Sequence, residues 1–194
     1  MSRRIPGLYR IRQFLRAVRA QGASAEELDM VQTILNPDQM AVFRCLPPYD
    51  QRHSLEVLAA LRAAGYEESA VLAAALLHDA AKTRMRLRHR ALVVLVRALA
   101  PGLAERWSRG NGTGWTAPFV IAAHHAEWGA ETAARAGSDP LTVALIRRHH
   151  APLPLFSPSR WEGDGGREGE EDEADALTEE DRLLAAFQAA DDDS

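Results

Sequence analysis

The residues best equipped for chemistry in this sequence are a neighbouring histidine and aspartate, His78 and Asp79, set at the end of an unbroken apolar run from Val71 to Leu77. An ionised carboxylate beside a core is costly unless a cation or hydrogen-bond donors compensate it, and an adjacent imidazole makes a divalent metal the natural candidate. Further ligand types recur along the chain: His53, the doublets His124-His125 and His149-His150, and the run Asp191, Asp192, Asp193. Neutral imidazole together with carboxylate suits iron, manganese, zinc, nickel or cobalt without selecting among them, as one ion or two. The single cysteine, Cys45, excludes an internal disulfide framework and a cysteine-based zinc site, and it points to a reducing compartment.

Ligands so far apart must be brought together by the elements that carry them, and the apolar spacing is helical almost throughout. Leu8, Ile11, Leu15 and Val18 share one face of a basic helix over residues 8–20. Ser24 with Glu27 forms a capping box for a helix through Leu35, and Asn36-Pro37 opens a short one over 38–46 that Pro47-Pro48 stops. From Tyr49 to Ala64, His53, Val57, Ala60, Leu61 and Ala64 line one stripe, and Gly65 stands where a C-terminal cap belongs. The next helix, 67–82, follows after a very short turn, so the two form an antiparallel pair with His53 and His78-Asp79 at the same end.

A basic connector, 84–90, leads into an apolar helix that Pro101-Gly102 breaks near Ala100, and the glycine-rich stretch Trp107 to Trp115 reads as a loop. Its glycine spacing is not that of a P-loop, and no dinucleotide fingerprint is present. Helical segments follow over 116–126 and 127–136. Asp139-Pro140 opens another helix, which ends in Arg147-Arg148-His149-His150. A proline-rich and acidic linker then runs to about residue 177, before Thr178 and Asp181 cap a short helix bearing Leu183, Leu184, Phe187 and Ala190, which is expected to dock back. Four units result: N-terminal helices over 1–48, a core over 49–155, a flexible acidic linker over 156–177, and a C-terminal helix over 178–194.

Helix phase chooses between some neighbouring ligands, because adjacent side chains lie about 100° apart. Asp191 follows Leu184 and Phe187 on the apolar face, and His149 follows Leu145 and Ile146. Between His124 and His125 the phase does not choose. The charge is equally uneven: residues 162–194 hold 14 acidic and 2 basic side chains, leaving +8 on residues 1–161 of a chain whose formal net charge is −4. A basic body suits an anionic small molecule, and without a recognised motif or aromatic interleaving, nucleic acid is not favoured as a partner. No apolar stretch is long enough to span a bilayer and no secretory signal is visible, so a cytoplasmic protein is expected.

His53, the His78-Asp79 pair and Asp191, in that order on successive helices, resemble the signature of the HD-domain metal-dependent phosphohydrolase superfamily, and Lys82 three residues after Asp79 matches as well. His125 and the His149-His150 doublet resemble the extra histidines by which binuclear, HD-GYP-type members hold a second metal. The resemblance implies an all-α, HD-domain-like helical bundle and favours His125 over His124. It places His53, His78, Asp79 and Asp191 on one metal, with Asp79 bridging to a second held by His125, His149 and His150. Asp79 and Lys82 would serve catalysis, and Lys82, Arg147 and Arg148 would contact phosphate.

The implied activity is hydrolysis of a nucleotide or other small phosphoester by metal-activated water; the alternative is a catalytically silent domain that senses a nucleotide. Two departures stand out. Where family members often carry Ile or Val and then Gly after the doublet, this chain has Ala80-Ala81, and the Gly-Tyr-Pro motif is missing. The second departure argues against a cyclic dinucleotide as substrate.

Overall fold

A computed structural model of the chain describes residues 21–153 and 178–193; the basic helix expected over 8–20 and the acidic linker expected over 156–177 lie outside the described residues. Among the described residues there are nine α-helices and no strand: α1 Ala25–Gln32, α2 Pro37–Arg44, α3 Pro48–Ala63, α4 Ser69–Leu77, α5 Leu87–Leu99, α6 Pro101–Ser108, α7 Ala117–Arg135, α8 Pro140–Arg148 and α9 Glu179–Asp193. The all-α expectation holds.

The fold is assembled around α4. Every residue from Ala70 to Leu77 is buried, as expected of a helix that is apolar all round. α4 packs on α3, α8, α9 and α2, and its leucines join Phe43, Leu58, Leu61, Leu145, Ile146, Leu184 and Phe187 in one core. Gly65, at φ +90°, closes the tight turn between α3 and α4, a left-handed conformation that a side chain would strain. Ser24 and Asn36 each sit in a reciprocal capping box, with Glu27 and Gln39 respectively, and Asp139 accepts from the backbone N–H groups of Leu141 and Thr142 at the start of α8. These caps satisfy amide donors that the first helical turn leaves unpaired.

Three expectations about helix ends change and one is extended. The helices before Pro47-Pro48 and Pro101 end as expected, at Arg44 and Leu99, but Pro48 and Pro101 also begin the helices that follow, each in the first turn, where a missing N–H is harmless. The helix expected over 67–82 ends at Leu77, and the chain tightens into a 3₁₀ turn over Ala80–Arg84. The loop expected from Trp107 to Trp115 is shorter, because Trp107 and Ser108 complete α6 and Trp115 lies in a 3₁₀ turn, Gly114–Thr116. Residues 116–136, expected as two segments, form the single helix α7 straight through Gly129.

Gly129 is kept for contact rather than flexibility. A Cβ built on it would lie 3.0 Å from the carbonyl oxygen of His78 and 3.4 Å from Ile146 Cγ2. The close approach of α7 to the chain at His78 is therefore made possible by the glycine on α7. On an exposed helix face, Gly→Ala would stabilise by about 1 kcal/mol. Here the added methyl must push α7 off the His78 backbone, so Gly129→Ala is expected to destabilise by about 1–3 kcal/mol. Urea unfolding checks the sign; a raised midpoint would show that α7 has room to shift.

Candidate metal centre

The 3₁₀ turn after α4 places the doublet. His78 still accepts helical geometry, with its N–H bonded to the Ala74 carbonyl, whereas Asp79 sits at φ −93°, ψ 11°, in the bridge region common among active-site residues. In a 3₁₀ turn side chains three apart eclipse, and Lys82 Nζ accordingly lies 2.7 Å from Asp79 Oδ1. Asp79 is 2% exposed and His78 1%.

Around the doublet, α3 contributes His53, α7 His125, the end of α8 His149 and His150, and α9 Asp191. His53 Nε2 lies 2.8 Å from Asp191 Oδ1. His78 Nε2 is 3.5 Å from the same carboxylate oxygen and 3.6 Å from Asp79 Oδ1. The ligand atoms of His53, His78 and Asp79 all fall within 4.8 Å of one another, and those of His125, His149 and His150 form a second such group. The rings of His78 and His149, 5.4 Å apart between centroids, join the two groups.

Three of these histidines share one device. The Nδ1 atoms of His78, His125 and His149 lie 3.0, 3.1 and 2.6 Å from the carbonyl oxygens three residues earlier, Ala75, Ala122 and Ile146. Each Nδ1–H donates to a helix carbonyl, which fixes the tautomer and leaves Nε2 as a bare lone pair aimed inward. The Nε2 atoms of His78 and His149 are buried without a hydrogen-bond partner. His150 Nε2 lies 2.9 Å from His125 Nε2. Buried acceptors without donors, converging on one another, are what a cation would satisfy, so the residues present fit a divalent metal.

The electrostatics agree. Burial pushes His125 down to about 2 and His149 down to about 3, so both are neutral, the form that binds metal. Burial alone would raise the pKa of Asp79, but the charge of the Lys82 ammonium, foremost among the groups facing it, overrides burial and holds it well below the usual carboxylate range. Asp191 is likewise lowered, its burial outweighed foremost by the hydrogen bond from His53.

All seven residues expected as ligands, His53, His78, Asp79, His125, His149, His150 and Asp191, are therefore brought to one place, with Lys82 beside them. His124, the neighbour that helix phase had left open, points outward and stacks on Trp128 at 5.5 Å. Arg147 and Arg148 are engaged elsewhere. Arg147 pairs with Glu127 at the exposed surface. Arg148 holds Glu180 and Asp181 at the start of α9, roughly 16 Å along that helix from Asp191 by the rise per residue.

Sequence reading missed the support beneath His53. Asp50 is fully buried and takes both terminal nitrogens of Arg90, at 2.6 and 2.5 Å. The guanidinium also lies 5.7 Å from the Tyr49 ring, which stacks nearly parallel on His53 at 6.4 Å. A signal existed: Asp50 shares the buried stripe of α3 with Ser54, Val57 and Leu61, and a carboxylate on such a stripe requires a cation.

A protein-family model described as HD domain matches residues 51–189, a span that contains His53 through His150 and stops two residues short of Asp191. Neither the curated proteins nor the solved structures compared with the chain give a match.

Proposed function

Since this chain belongs to the HD-domain family, we propose that it is a metal-dependent phosphohydrolase acting on a nucleotide or other small phosphoester. The observation that carries this reading is the convergence of the unpartnered Nε2 atoms of His78 and His149 with the His125–His150 pair and the carboxylates of Asp79 and Asp191. His53, His78, Asp79 and Asp191 would hold one ion, and His125, His149 and His150 a second. A bound divalent ion supplies Lewis acidity, lowering the pKa of water toward neutrality and offsetting charge on the phosphoryl oxygens.

The chain's own residues supply the rest. Asp79, ionised and buried, orients groups at the centre, and its partner Lys82 is the cation we assign to substrate phosphate, since its side chain is 21% exposed and needs only to swing away from Asp79. Of the three cations expected at phosphate, Arg147 and Arg148 are paired with Glu127, Glu180 and Asp181, which leaves Lys82 as the one we assign. The Nδ1–H bonds to helix carbonyls keep the imidazoles from rotating, so the donor set is preorganised. The core over residues 49–155 with the helix over 178–194 would form the catalytic unit, with the cytoplasm as its setting. No helix among the described residues is long and apolar enough to cross a membrane.

The test is metal analysis of the purified protein joined to a phosphoester panel. One or two equivalents of a transition metal are expected, with turnover that a chelator abolishes and readdition of metal restores. Metal-free protein whose phosphatase activity survives His78→Ala would end the reading. Bound metal with nucleotide binding but no turnover would favour the sensing alternative.

A further inference from the structure

A cleft of about 240 Å³ is lined by His89 and Leu92 of α5, Gly114 and Trp115 of the glycine-rich turn, and Ala117, Pro118 and Ile121 of α7. Nothing in the centre itself uses it. Three observations tie it to the same substrate. First, it shares α7 with the candidate ligand His125. Ile121 is one helical turn before His125, and residues four apart are neighbours on a helix face, about 5–6 Å between Cβ atoms. On α5, His89 precedes Arg90, whose guanidinium reaches the Lys82 carbonyl at 3.4 Å.

Second, the lining is apolar and aromatic. No carboxylate, lysine or arginine side chain contributes, and the one polar side chain is the imidazole of His89. That composition rejects the phosphate and any charged group. Trp115 is 64% exposed, yet its indole is held edge-on by Trp107 at 4.4 Å, and Trp107 in turn packs edge-on against Phe119 at 4.9 Å. An exposed indole braced from behind presents a fixed flat surface. Gly112 and Gly114, at φ +72° and +63°, give the turn the left-handed bends that bring Trp115 there.

Third, the volume is smaller than the ~300–1,000 Å³ of sites that enclose a whole drug-sized ligand. It accommodates part of a molecule, such as one ring, rather than the whole.

We propose that this cleft holds a planar aromatic ring of the phosphoester whose phosphate is bound at the metal centre, with Trp115 as the stacking surface. The proposal rests on the phosphohydrolase reading for its substrate but not for its test. Stacking of a planar ring on an aromatic side chain is worth about tenfold or more in affinity. The probes are phenylphosphonate and methylphosphonate, which share the anionic group, differ in the ring and have no ester bond to cleave, titrated calorimetrically into metal-loaded full-length protein so that neither is consumed.

Wild type is expected to bind phenylphosphonate at least about tenfold more tightly than methylphosphonate, and Trp115→Ala to bring that ratio toward one. Leu92→Glu, on the opposite wall, is expected to collapse it as well and guards against misfolding of either variant. An undiminished ratio in both folded variants, or no preference in wild type, overturns the proposal. Turnover of phosphoesters without ring preference would remove the cleft assignment and leave the hydrolase reading intact. Ring-dependent binding without any turnover would do the reverse.

Discussion

Asp79→Asn is expected to abolish stoichiometric metal binding and to lower phosphoester turnover by more than about 100-fold, while leaving the helical content unchanged. The floor comes from metal sites generally, where even residues that only orient a ligand are worth about 10–100-fold in metal affinity; Asp79 is proposed as a ligand itself. The substitution preserves volume in a position 2% exposed, so packing on α7 is untouched. It removes the one negative charge that Lys82, His78 and His53 all face.

Stability of the metal-free protein is expected to change by less than about 1 kcal/mol, because the freed Lys82 ammonium is partly exposed and can turn to solvent. Metal analysis, circular dichroism and turnover measured on one sample separate the outcomes. Retained metal with full turnover would show that the doublet is not the centre. Loss of helix would show that Asp79 is structural.

The second large effect is on stability. Asp50→Ala is expected to destabilise the fold by about 3–5 kcal/mol, the cost of leaving a buried charge without its partner. Asp50 is fully buried and Arg90 only 17% exposed at the side chain, and both hydrogen bonds are short. The Coulombic gain in such a pair roughly offsets its desolvation, so the large loss comes from orphaning Arg90, not from a net attraction given up. It follows that Asp50→Leu combined with Arg90→Met should recover much of the loss. Urea unfolding of the single and double variants forms the test. A single-variant cost below 1 kcal/mol would mean that Arg90 escapes to water. Because the guanidinium also contacts Tyr49, which stacks on His53, the double variant should fold well yet hold metal less tightly than wild type.

Much of this was legible in the residues. The capping boxes at Ser24 and Asn36, the Asp139 cap, the Gly65 turn and the apolar stripes of α3 and α9 are local patterns, set by hydrogen-bond chemistry and period within a few residues. The ligand histidines were visible as types, and phase selected His149 and Asp191. What could not be read was set by contacts across the fold. The helix ending at Leu77 and the helix running through Gly129 are two sides of one interface, where the His78 carbonyl meets a residue without a side chain; neither half reveals it alone. The Asp50–Arg90 pair joins residues 40 apart in sequence, and the basic connector offered several arginines of equal merit. The engagement of Arg147 and Arg148 by Glu127, Glu180 and Asp181 likewise depends on where α7 and α9 come to rest.

The contact between His53 and Asp191 spans 138 residues, and this sets an order of events during biosynthesis. A ribosome adds about 5–20 residues per second, so His53, His78 and Asp79 are made many seconds before Asp191. A nascent chain can gather imidazoles around an ion early, but the carboxylate that bonds His53 arrives only with α9. If the proposed centre holds metal, an ion acquired before that moment would meet a site lacking this carboxylate, and one acquired after it would meet the full donor set. The helix that brings Asp191 to His53 would then divide a period of metal sampling from a period of metal retention.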